Sequence, residues 1–289
     1  MHENNRIDTH PRLSRAVDTR IPELIRPLLQ AYMHLLKTKL PGLVTGLYLH
    51  GSVALDAFNA THSDIDFVAL LNRRCSERDV ESLEEIHCVI AASYPRWKLE
   101  GSYLQWQDLG QAERAIAPHP IYHDGELQQM GHFDVNWVTW WVLKNRGIAL
   151  IGREPNELNF TVDWRHLITD MRQNLNTYWA DFTTKPQRIV WLFSDYGIQW
   201  TVLGVLRQYY SFMEQDITSK TGAGEYALAH LPTGWHSLIR EAIHLREQTS
   251  GSLYESRIVR ALEAYNFLRY IIRLSNAQVS NAQVNRNHR

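Results

Sequence analysis

"LYLHGSVALDAFNATHSDIDFVALL", residues 47–71, holds two apolar runs separated by a polar, turn-rich insert. Asp64 and Asp66 flank Ile65 at the mouth of the second run. On a strand, residues two apart share a face, roughly 7 Å from one another. Two neighbouring carboxylates repel, and burying either one unpaired is costly. Such a pair at the polar end of an apolar strand therefore calls for a positive partner. Hard divalent cations, which take oxygen ligands, meet that demand.

Working outward, residues 21–39 carry apolar residues at helical spacing, with Pro22 in the first turn. Pro41–Gly42 breaks that helix, and "LVTGLYLH" (43–50) reads as a strand. Gly51 and Ser52 open a brief helix to Phe58, "NATHS" is a turn, and "DIDFVALL" (64–71) is the second strand. Residues 76–94 form an amphipathic helix with Ser76 as N-cap and acids in its first turns. "RWKLEGSYLQW" (96–106) is a third strand with Glu100 along it. "APHPIYHDGELQQMGHFD" (117–134) reads as a loop, "VNWVTWWVLKNRG" (135–147) as a helix ending at Gly147, and "IALIGREPNEL" (148–158) closes the first half.

Beyond residue 158 strand signals fade, and 163–182, 187–213, 219–231, 234–247 and 252–275 all read as helices. The expected organisation is α/β followed by all-α. A small mixed sheet with helices covers 1–157, a helical bundle 158–275, and a disordered tail carrying the doubled SNAQV covers 276–289.

The 289 residues carry a net charge of −1, so no global basic field argues for a nucleic-acid partner. Two cysteines are too few for a disulfide framework or a thiolate metal site. The start "MHENNRIDTH" has no apolar signal core, and no stretch reaches bilayer-spanning length. The expectation is a cytoplasmic protein with no membrane partner.

A D-x-D at a strand edge equally describes a solvated surface or a cap, and a lone Gly-Ser is weaker still. Their ordered combination carries more: strand, Gly51–Ser52, short helix, Asp64–Ile65–Asp66, strand, helix, and strand with Glu100. If the third strand lies beside the second, three acids converge and hold two Mg²⁺ ions about 4 Å apart, an arrangement suited to in-line phosphoryl displacement. Gly51 lets the backbone approach a ligand, and the N–H groups after it favour phosphate oxygens.

"GSVALDAFNATHSDIDFVALL" resembles the signature of the nucleotidyltransferase superfamily related to DNA polymerase β. Within it, the chain is similar to the bacterial aminoglycoside adenylyltransferases that modify streptomycin and spectinomycin. "RQYYSFMEQDITSKTGAGEYALAHLP" (207–232) resembles their helical-domain segment, and the resemblance covers roughly residues 25 to 275. It implies an N-terminal nucleotidyltransferase fold and Mg²⁺-dependent transfer of AMP from ATP to a hydroxyl of a small polycationic acceptor, with release of pyrophosphate. By the same resemblance Gly51 and Ser52 contact the triphosphate, and Asp64, Asp66 and Glu100 ligate Mg²⁺. Glu100 is the general base, and Lys220 reaches the phosphates from the helical domain, with the active site in the cleft between domains.

The drug-modifying relatives place acids near the start of the helix that carries Arg207. Here that stretch reads Gly197, Ile198, Gln199 and Trp200, with Asp195 a little earlier. An acceptor that is a protein side chain or RNA, or a non-catalytic nucleotide-binding module, are the alternatives. His119, His123 and His132 match no zinc spacing. They read as a surface loop, which, following the third strand, is a candidate lining of the acceptor pocket.

Overall fold

Val44–Leu49 (β1) and Ile65–Leu71 (β2) pair antiparallel, joined by the short helix Gly51–Ala54 (α2). The computed structural model describes residues 18–247 and 252–287; the polar start lies outside the described residues. The chain divides into two compact units, Met1–Phe160 and Thr161–Arg289.

In the first unit a 3₁₀ turn at Glu23–Ile25 leads into α1 (Arg26–Lys39), so the α-helix starts five residues later than expected, with Pro27 rather than Pro22 in its opening turn. Ser76 caps α3 (Glu77–Ser93) through a capping box with Asp79, as its position predicts. That helix is the crossover between β2 and the parallel strand β3 (Leu99–Gln105). Leu47 and Leu49 of β1, Phe67, Ala69 and Leu71 of β2, and Leu99 and Tyr103 of β3 share one core with Leu28, Tyr32 and Leu36 of α1 and Leu83, Ile86 and Ile90 of α3. The side-chain period of two therefore turns Asp66 and Glu100 to the opposite face of the sheet. Inside that core, Tyr103 Oη meets both Tyr32 Oη at 2.5 Å and His87 Nε2 at 2.6 Å.

The segment read as a loop is a hairpin. His119–His123 (β4) and Glu126–Gly131 (β5) pair antiparallel around Asp124 and Gly125, both with positive φ (51° and 82°). This is the backbone that a two-residue Asp-Gly hairpin turn requires. After α4 (Trp137–Arg146), β6 (Ile148–Ile151) pairs with β1, giving the order β5-β4-β3-β2-β1-β6.

Every regular element among the second unit's described residues is helical: α5 (Trp164–Asn174), a π turn (Leu175–Trp179), α6 (Ala180–Thr184), α7 (Pro186–Ile189), a 3₁₀ turn (Val190–Phe193), α8 (Asp195–Glu214), α9 (Lys220–His230), a second 3₁₀ turn (Thr233–Trp235), α10 (His236–Glu247) and α11 (Arg257–Asn287). The single helix expected over 187–213 is broken at Ser194, where the chain bends by 109°. Ser194 Oγ accepts from the Gly197 N–H at 2.9 Å and so starts a new helix. A Cβ at Gly197 would lie 1.8 Å from the Trp191 carbonyl oxygen, so the bend needs glycine there. Ile198, Val202, Leu203, Val205 and Leu206 of α8 are buried in the bundle's core. That burial accounts for an apolar run that would otherwise suggest membrane; among the described residues no single helix is long and apolar enough to cross one.

α11 continues to Asn287, through most of the stretch expected as a tail from residue 276. Asn276 belongs to the packed part: its Nδ2 donates to Asn176 Oδ1 at 2.8 Å, and its Oδ1 accepts from Asn176 Nδ2 at 3.0 Å.

Candidate active site

β1 and β4 run antiparallel to their neighbours β2 and β3. The C-terminal ends of β1 and β4 therefore meet the N-terminal ends of β2 and β3 at one edge of the sheet. His50 and Gly51 follow β1, Asp64 precedes β2, Asp66 and Glu100 are the second residues of β2 and β3, and His123 ends β4. Asp66 and Glu100 are partners in the parallel register. Five of the six residues singled out from sequence, Gly51, Ser52, Asp64, Asp66 and Glu100, thus gather at this edge. Glu100 stands near the start of its strand.

The electrostatics follow from that gathering. Burial pushes the Glu100 carboxyl up to about 7, and the Asp64 and Asp66 carboxylates add to the rise. His123 and the Asp124 N–H oppose it. The Asp124 N–H donates to Glu100 Oε1 at 3.4 Å, and His123 Nε2 lies 3.7 Å from Glu100 Oε2. His123 is itself packed on Phe133, ring centroids 4.1 Å apart. Reading 117–134 as a loop missed His123 and Asp124 as neighbours of Glu100; the signal that finds them is the Asp124–Gly125 turn, which aims the end of β4 at β3.

Gly51 sits against the acids. It has a φ of +56°, and a Cβ there would come within 1.9 Å of Asp66 Oδ2. The His50 N–H donates to the Asp66 carbonyl at 3.1 Å, which locks this turn to β2. Ser52 Oγ is buried with no hydrogen-bond partner among the described residues. A buried hydroxyl left in that state is costly unless a ligand completes it.

The residues present fit a divalent cation. Burial and the nearby Asp64 and Asp66 carboxylates hold Glu100 toward its protonated form. A hard cation at those oxygens reverses that cost. Among the described residues, the acids and histidines whose ligand atoms all lie within 4.8 Å of one another are Glu100, His123 and Asp124.

Lys220, the sixth residue, is the first of α9 in the second unit. Its Nζ lies 4.2 Å from the centroid of the Trp200 ring. Asp195 Oδ1 accepts from Arg260 Nη2 at 2.6 Å, so its carboxylate already has a cation. His119 and His132 are ring neighbours at 5.6 Å on the hairpin, and His119 is buried.

Residues 172–268 match the family model of the aminoglycoside adenylyltransferase C-terminal domain. No curated protein matches the chain. Among solved structures, the chain is similar to spectinomycin adenyltransferase AAD(9) from Enterococcus faecialis, determined with ATP and spectinomycin, at a TM-score of 0.65 and 13% identity over 86% of this chain and 98% of that one. The family match thus lies within the helical unit, and the likeness to the solved adenyltransferase is one of fold.

Proposed function

We propose that the protein transfers AMP from ATP to a hydroxyl of a small, polycationic acceptor, foremost an aminoglycoside-type antibiotic, and releases pyrophosphate. Such an activity confers resistance to the drug. The observation that carries the reading is the pairing of Asp66 with Glu100 in register, with Asp64 close enough to raise the same carboxyl.

Asp64, Asp66 and Glu100 are the residues that would hold two Mg²⁺ ions. When bound, the ions supply charge neutralisation at the transferring phosphoryl group and orient the attacking and leaving oxygens. Glu100 accepts the proton of the acceptor hydroxyl, acting as general base beside the transferring group. The Ser52 hydroxyl and the backbone at Gly51 bind the triphosphate, and the Ser52 Oγ without a partner supports that role. Lys220 donates to the phosphates and offsets negative charge as pyrophosphate leaves. Cys75 and Cys88 are both free thiols, which supports a reducing, cytoplasmic setting.

ATP as donor and an aminoglycoside-type acceptor are supported by the helical unit's family match and by the relative determined with ATP and spectinomycin. The test is incubation with Mg²⁺, ATP and a panel of aminoglycosides, followed by mass spectrometry for drugs heavier by one AMP. Asp64→Asn and Glu100→Gln run in parallel. An adduct in the wild type that is lost in both variants supports the reading. Full-rate adduct formation by Asp64→Asn overturns the metal assignment, and no adduct on any drug overturns the acceptor class.

A further inference from the structure

Lys220 opens α9, where unpaired N–H groups and the positive end of the helix dipole disfavour a cation. The structure supplies compensation from α8. The Lys220 Nζ sits 4.2 Å from the Trp200 ring centroid, within reach of the attraction between an ammonium and the negative face of an indole. The ring itself is held on its edge and on a face. Trp200 Nε1–H donates to Tyr178 Oη at 3.0 Å, and Tyr196 stacks on Trp200 at 5.8 Å and 21°. Tyr178 in turn lies under the Arg188 guanidinium, 5.2 Å from its ring centroid.

The turn that carries the lysine is fixed as well. Arg207 Nε of α8 donates to the Thr218 carbonyl at 3.2 Å, and Ser219 Oγ caps α9 by accepting from the Gly222 N–H at 3.0 Å. Packing in the bundle core asks for apolar volume at Trp200. It does not ask for a hydrogen-bonded indole edge or for an ammonium over the ring.

We propose that Trp200 is a positioning residue for phosphate recognition, holding the Lys220 ammonium over its ring so that the cation is ordered before ATP binds. The inference rests on the reading of Lys220 as a phosphate ligand. A lysine side chain loses considerable rotamer freedom when it engages an anion, and a ring that orders it beforehand removes part of that loss from binding.

The test is a double-mutant cycle on ATP affinity in Mg²⁺, measured by titration calorimetry. Lys220→Ala is expected to weaken ATP binding by about tenfold or more, and Trp200→Met, which keeps volume but removes the π face, by about fivefold. Trp200→Phe, with a weaker ring quadrupole, is expected to lose about two- to threefold, a loss that disappears in the Lys220→Ala background. In the Lys220→Ala background either Trp200 substitution should cost nothing further.

Additive losses in that background overturn the inference while leaving the role of Lys220 intact. Wild-type affinity in Lys220→Ala overturns the phosphate reading and the inference with it. If Trp200→Met melts well below the wild type, coupling of Trp200→Phe to Lys220→Ala decides the case. Zero coupling there overturns the proposal.

Discussion

Asp66 and Glu100 face each other across the parallel register of β2 and β3, each the second residue of its strand and each turned away from the core shared with α1 and α3. The sheet forces two carboxylates into adjacency, and Asp64 adds a third. Glu100 bears the consequence, with its carboxyl pushed up to about 7 by burial and by its acidic neighbours.

The folded protein therefore keeps a proton on Glu100 that the unfolded chain releases near the ordinary carboxyl value of 4.5. Between about 4.5 and 7 the native state binds more protons than the unfolded state, so stability falls as pH rises through that window and flattens above it. Thermal melting without divalent ions is expected to show this loss. Glu100→Gln removes the group that titrates, so it should abolish this part of the slope and melt higher than the wild type at pH 8. An unchanged slope in the variant rules out Glu100 as its source.

A divalent cation acts in the opposite direction, because it binds the ionised carboxylates and hence the folded state. Mg²⁺ at pH 8 is expected to raise the melting temperature of the wild type in a concentration-dependent way. Asp64→Asn removes a ligand and one of the repelling charges, and should weaken the apparent Mg²⁺ affinity by about tenfold or more. Equal Mg²⁺ stabilisation of variant and wild type excludes Asp64 as a ligand.

Much of this edge is legible in the sequence, for local reasons. Asp64 and Asp66 interrupt an apolar run, Ser76 with Asp79 writes a capping box, and the length of α3 suits a crossover that sets β3 beside β2. The hairpin was harder to read. Pro120 in "HPIYH" argues against a strand, since proline removes a ladder donor, and β5 is mostly exposed and polar. The Asp124–Gly125 turn carried the contrary signal. The break at Ser194 was hidden by apolar residues on both sides, and only the cap distinguishes it. How Asp195 is used depends on Arg260, 65 positions away, which no local pattern links to it.

Gly51→Ala separates backbone need from side-chain chemistry. The position has a φ of +56° and no room for a Cβ beside Asp66 Oδ2. The substitution is expected to destabilise by about 1–3 kcal/mol and to displace Asp66. Adenylyl transfer should fall by about a hundredfold or more, because a shift of about 1 Å at a positioned group costs that much. Wild-type stability and activity in Gly51→Ala overturn the close-contact argument.

Asp195, at the start of α8, is the outer member of a charge network in the bundle. Glu241 is fully buried and accepts from Arg260 Nη1 at 2.7 Å, from Ser252 Oγ at 2.7 Å and from the Leu253 N–H at 2.8 Å. Burial pushes the Glu241 carboxyl up, and these bonds bring it below its ordinary value. Arg260, equally buried, spends its other amino group on Asp195. Glu241→Ala leaves a buried guanidinium with its inner partner gone and is expected to cost about 3–5 kcal/mol in denaturant unfolding. Asp195→Asn removes only the half-exposed partner, where water screens the pair, and is expected to cost about 1 kcal/mol or less. With its carboxylate committed to Arg260, Asp195→Asn should also leave the acceptor KM within about twofold of the wild type. A large rise in acceptor KM with unchanged stability shows instead that Asp195 serves the acceptor.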